Sequence, residues 1–130
     1  MDDKTFKART KKLAIIILKQ VDKLPRSLAT DVIARQLVRS GTSIGANYRA
    51  ACRAKSVPDM INKLKIVEEE ADETEYWLEL LAEAGLASHD QIESIYKETD
   101  EILALTVASI KTLRTRAPQS KIENPKSKIP

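Results

Sequence analysis

The densest set of ionisable side chains in this chain is the run Glu68-Glu69-Glu70-Ala71-Asp72-Glu73-Thr74-Glu75, followed closely by Trp77. Carboxylates this close can hold a cation or act as an acid–base pair, but a ferritin-like metal site also needs Glu-x-x-His pairs. The sequence has one histidine, His89, in a helix-capping turn. A single histidine per chain leaves neither a histidine-bearing zinc site nor a His-based nucleophile relay to assemble. No Gly-rich phosphate loop occurs. The expectation is therefore no catalytic residue, no metal site and no cofactor.

The same acids have a second use. Glu70, Glu73 and Trp77 share one flank of a helix beside its apolar seam, and a carboxylate buried there needs a partner. Arg49, Arg53, Asn47 and the indole N–H of Trp77 are candidate partners. Together Ser43, Asn47, Glu70, Glu73 and Trp77 are read as a structural polar network that fixes helix register. Arg35, Arg39, Arg49 and Arg53 fall near one side of another helix and are the candidate nucleic-acid-binding residues.

The overall charge of +3 hides a strong segregation. Residues 1–55 hold thirteen Lys/Arg against four Asp/Glu, residues 56–110 three against fourteen, and residues 111–130 six against one. Such asymmetry fits a nucleic-acid face; more simply, it lets a basic helical hairpin lie against an acidic one.

The elements that carry these residues follow from spacing. A composition 42% hydrophobic and 32% charged, with three glycines and few aromatics, favours helix over strand. Phe6, Thr10, Leu13, Ile17, Gln20 and Leu24 lie on one three-four stripe, ended by Pro25. Ser27 or Thr30 caps a second helix running to about Lys55, with Ile33, Leu37, Ile44, Tyr48 and Ala51 inward. Ser56-Val57-Pro58-Asp59 opens a third, whose stripe is Met60, Leu64, Val67, Ala71, Thr74, Leu78 and Leu81, stopped by Gly85. Ser88 and Gln91 form a capping box for a fourth, with Ile92, Ile95, Thr99, Ile102, Thr106, Ile110 and Leu113 inward. Four long helices with short turns describe an all-α, up-down-up-down four-helix bundle, oligomeric, over residues 1–116. Residues 117–130, rich in proline and lysine, are expected to be a disordered basic tail.

Two features go beyond the stripes. Gly41 and Gly45 sit four apart on one face of the second helix, where each costs about 1 kcal/mol relative to alanine, which points to a close helix crossing. The alternative is a loop, since Gly-Thr-Ser is also turn-prone. Leu13-Ala14-Ile15-Ile16-Ile17-Leu18 is apolar around nearly the whole helix, so that helix is either central or shared with another subunit. The lone Cys52 allows no intrachain disulfide and suggests a reducing cytoplasm. The longest apolar run is too short to span a bilayer and the first residues lack a signal-peptide pattern, so no membrane association is expected.

Gln36-x-x-Arg39-x-x-x-Ser43-Ile44-x-x-Asn47, then Lys63-Leu64-x-Ile66 and Glu70-x-x-Glu73-x-x-x-Trp77-Leu78, resembles a bacterial family of four-helix-bundle proteins first noticed as open reading frames in intervening sequences of 23S rRNA genes. The similarity covers about residues 5–113. Family members usually carry an acidic residue and a glycine soon after the asparagine, where this chain has Ala50 or Ala51 and Cys52. The resemblance implies a cytoplasmic bundle assembled as a ring-like homopentamer without established enzymatic activity. The accessory protein of diversity-generating retroelements looks like a relative, a basic pentamer that engages a reverse transcriptase and nucleic acid. By that resemblance the implied partners are the chain itself and RNA or a nucleic-acid-binding protein; an adaptor that binds no nucleic acid is the alternative.

Overall fold

The computed structural model describes residues 2–123, with side chains as far as Arg116. Four helices and no strand occupy the described residues: α1 (Asp3–Val21), α2 (Leu28–Cys52), α3 (Val57–Glu83) and α4 (His89–Glu123). Each start has a side chain that satisfies a free backbone N–H. Asp2 accepts from Thr5, Ser27 from Thr30 and Ser56 from Asp59, with Pro58 in the first turn of α3. At α4 the Ser88 hydroxyl accepts from Gln91 N, and the Gln91 side chain accepts from Ser88 N. After α3, Gly85 takes a φ of +71°, and Leu86 N donates back to Leu81 O at 2.9 Å. That is the Schellman closure, which glycine enters without steric penalty.

Two boundaries differ from the sequence reading. α2 stops at Cys52 rather than near Lys55, because Ser56 must be extended (φ −156°) to cap α3 and the chain needs residues to reach that state. α4 runs to Glu123, past residue 117 where the tail was expected to begin. Residues 124–130 of the expected tail lie outside the described residues.

Each helix packs on the next, and α4 returns to α1, so the four surround one core. With connections only at residues 22–27, 53–56 and 84–88, sequential neighbours lie antiparallel. The core comes from the expected stripes: Phe6, Leu13 and Ile17 of α1, Leu37, Ile44 and Tyr48 of α2, Leu64, Val67, Leu78 and Leu81 of α3, and Ile92, Ile95, Ile102 and Ile110 of α4. Phe6 and Tyr48 meet edge to face, 4.5 Å between centroids. The buried threonines Thr10, Thr99 and Thr106 turn their hydroxyls onto carbonyls one turn earlier, which lets them share the apolar stripe. Thr74 bonds Glu70 O in the same way at 2.7 Å and also meets the Ser40 hydroxyl at 2.9 Å, a buried polar link from α3 to α2.

The glycine pair lies inside an unbroken α2, and the crossing it was read for is there. A Cβ on Gly41 would stand 2.5 Å from Ile17 Cδ1, and one on Gly45 would stand 3.1 Å from Thr10 Oγ1 and 3.5 Å from the Thr10 carbonyl carbon. The α1 side chains occupy the space that two α2 side chains would need. Gly41→Leu is expected to lower stability by about 1–3 kcal/mol through overpacking, despite leucine's better helix propensity. Urea unfolding measures it, and a variant as stable as the wild type would show that the helices are not in contact there.

Candidate functional site

Arg39 of α2 is the centre of the charged motif. Its guanidinium reaches Glu70 Oε1 at 3.2 Å, bonds Glu73 Oε2, and donates Nε–H to Gln36 Oε1 at 3.2 Å. Trp77 donates its indole N–H to the same Glu73 oxygen at 2.9 Å. Glu70 and Glu73 present both carboxylates to one fork because residues three apart on a helix are surface neighbours. Arg39, ahead of the Trp77 indole, holds the Glu73 carboxyl below the usual carboxylate range.

The site residues are therefore grouped differently from the sequence reading. Arg39, placed there among the nucleic-acid contacts, joins Glu70, Glu73 and Trp77. Arg49 and Arg53, candidate partners of those acids, do not touch them. Ser43 and Asn47 bond backbone carbonyls within α2, Ser43 Oγ to Arg39 O at 2.6 Å and Asn47 Nδ2 to Ser43 O at 2.9 Å, so neither side chain reaches the acids. Spacing on α2 gives the side of the helix but not which of four arginines stands opposite residue 70. Arg35 lines a cleft with Arg26 and Asp31 at the start of α2, Arg49 lines the groove between α1 and α2, and Arg53 is exposed at the α2 C-cap. None of these three arginines lies within 4 Å of a carboxylate among the described residues.

Two further charged groups carry no signal in the sequence reading. Arg9 of α1 pairs bidentately with Glu98 at 2.8 Å and bonds Glu101, again two acids three apart on one helix taking one arginine. Glu75 sits beside the α3 seam, only 7% exposed, with Oε2 lacking any hydrogen-bond partner. Burial, then Asp100 of α4 and the nearby Asp72 and Glu79, push its carboxyl up to about 7. Position 75 directly follows the seam residue Thr74, which is the only cue to its burial. Tyr96 closes this acidic seam by donating its hydroxyl to Glu79 at 2.8 Å.

Among the described residues no group of three or more His, Cys, Asp or Glu is arranged to hold a metal ion, and no helix is long and apolar enough to cross a membrane. Fold and site define an all-helical protein whose most distinctive polar motif ties one helix to the next. The chain belongs to the 23S rRNA-intervening sequence protein family, whose profile matches residues 3–108. It is also similar to a protein of unknown function of the S23 ribosomal protein family from Bacteroides thetaiotaomicron VPI-5482, whose crystal structure has a TM-score of 0.79 at 42% identity over 85% of this chain and 99% of that one. No curated protein sequence matches it.

Arg39 is 47% exposed at its side chain, so its pairs are worth less than the 3–5 kcal/mol of a fully buried pair. Glu73→Ala is expected to cost about 1 kcal/mol and to alter Trp77 emission, because the indole loses its acceptor. Unchanged fluorescence would show that the indole bond does not persist in solution.

Glu75 has the opposite linkage to a salt-bridged acid. Its folded form holds a proton that the unfolded chain releases near pH 4.5, so stability falls as pH rises from there to about 7. The loss is at most about 3 kcal/mol. Glu75→Gln is expected to remove that slope and to be more stable than the wild type at pH 8. Parallel stability profiles for the two proteins would mean that Glu75 is solvated and ionised throughout.

Proposed function

We propose that this protein is a non-enzymatic, self-associating helical module, a ring-like homopentamer of the cytoplasm, whose basic half engages RNA or a nucleoprotein partner. The observation that carries the reading is on α1. Ile15, Ile16 and Leu18 remain 44%, 39% and 43% exposed, because Leu13 and Ile17 already fill the core-facing stripe. Ile15 and Leu18, three apart, share the outer face of α1 and form an apolar ridge that a second copy of the chain would cover, with Ile16 farther round the helix at the groove toward α4.

The basic half supports engagement of RNA or a nucleoprotein. Repetition of α1 and α2 around an assembly multiplies a positive field that is only +3 per chain. The family takes its name from 23S rRNA intervening sequences, which fits a protein working close to RNA. Absence of enzymatic activity is part of the proposal: the motif acids Glu70 and Glu73 are engaged by Arg39, which leaves them poorly placed as an acid–base pair.

A second reading, an adaptor that binds only protein, draws on that same Arg39. If the arginines of α2 mainly serve the acidic α3, the charge segregation concerns assembly alone.

Light scattering at micromolar concentration is expected to give a mass of several chains, five in the leading form. Ile15→Lys or Ile16→Lys should release monomers that keep the helical signal in circular dichroism. A wild type that is monomeric at that concentration rejects self-association.

A further inference from the structure

We propose that the groove where α1 crosses α2 binds the phosphate backbone of nucleic acid through Lys7, Lys11 and Arg49. It rests on the reading of the basic half as nucleic-acid-facing and gives that reading a site. The groove is a cleft of about 550 Å³ on the outer side of the glycine crossing. Thr10, Ala14 and Gly45 are among its less exposed lining residues, while the exposed Lys7 and Lys11 from α1 and Arg49 from α2 stand around it. No carboxylate lines it.

The charge arrangement is unbalanced in a way that points outward. None of the three cations has a carboxylate within 4 Å among the described residues, whereas Arg9 and Arg39 on the same two helices each hold two. Lys7 and Lys11 are four apart on one helix face, a like-charge spacing that costs stability when nothing neutralises it. Opposite them across the groove, Arg49 adds a planar fork suited to phosphate oxygens. A string of anions laid along the cleft removes the repulsion and satisfies all three.

The lining decides between kinds of anion. Protein partners anchor on large apolar or aromatic side chains set in pockets, and alanine and glycine offer none. The same lining has no aromatic platform for a base to stack on. The two threonine hydroxyls at the groove are turned onto helix carbonyls, Thr10 to Phe6 O and Thr42 to Val38 O. Recognition is thus by backbone charge, without base readout.

The test is a titration of the full chain against a labelled mixed-sequence RNA oligonucleotide at about 50 and 200 mM salt. Lys7→Gln/Lys11→Gln/Arg49→Gln is compared with an equal charge loss at exposed lysines elsewhere, Lys23→Gln/Lys55→Gln/Lys65→Gln. Loss of three contacts at about 0.7 each on a single strand should flatten the log–log salt slope by about 2 and weaken binding at least about tenfold at the lower salt. The control should stay within a few-fold of the wild type, and the charge-preserving Lys7→Arg/Lys11→Arg should keep the wild-type slope. Circular dichroism and light scattering confirm that every variant retains fold and assembly. If the wild type binds and the groove variant binds equally well, the groove assignment is wrong while the nucleic-acid reading stands. No wild-type binding at 50 mM overturns the reading itself. Displacement of the RNA by polyglutamate at matched charge, as effective as by unlabelled RNA, would hand the groove to an acidic protein surface and overturn the proposal.

Discussion

The constraint on which the other arrangements rest is the missing pair of β-carbons at Gly41 and Gly45. Ile17 and Thr10 fill the space those atoms would take, so α1 lies against α2 at a fixed height and angle. Rotation of α1 about its axis would drive the Ile17 side chain into the α2 backbone. That one contact fixes which α1 residues face inward, and hence that Arg9 points toward α4, Lys7 and Lys11 toward Arg49, and Ile15 and Leu18 away from the core.

Charge then follows a simple rule around the bundle. Where a basic helix meets an acidic one, a single arginine takes two glutamates three residues apart: Arg39 with Glu70 and Glu73 between α2 and α3, Arg9 with Glu98 and Glu101 between α4 and α1. Where like meets like, charge is left over. The basic seam keeps Lys7, Lys11 and Arg49 free of carboxylates among the described residues, and the acidic seam holds Glu75 against Asp100, its carboxyl pushed up to about 7. The expectation of a basic hairpin lying on an acidic one is thus met at two seams and leaves residues over at the other two.

The helices, and the ends that a local cap sets, were legible in the sequence because caps and stripes are local: Ser27, Ser56, Ser88 and Gly85 each act within a few residues of themselves, whereas the C-terminal ends of α2 and α4 were not. The glycine crossing was legible too, since two glycines inside a strong helical pattern demand a reason. Partner choice across a seam was not. Arg35, Arg39, Arg49 and Arg53 look alike from spacing, and only the relative height of α2 and α3 puts Arg39 between Glu70 and Glu73. The Arg9 clasp was hidden for the same reason, and the burial of Glu75 depends on how closely α4 approaches a flank that sequence periodicity leaves at the edge of the stripe.

The seam between α1 and α4 has the sparsest backbone contact in the bundle, and a groove of about 380 Å³ runs along it between Leu13, Ile16 and Ile95. Free energies of opening therefore differ along the chain, and α1 is the segment whose release breaks least. The amides of α1 should exchange with solvent through a partial opening that leaves α2, α3 and α4 folded, with the slowest amides on the α2–α3 pair. A molecule that covers the outer side of α1 would close this breathing motion, so occupancy there reads out as slower exchange at Phe6, Leu13 and Ile17, residues it never touches.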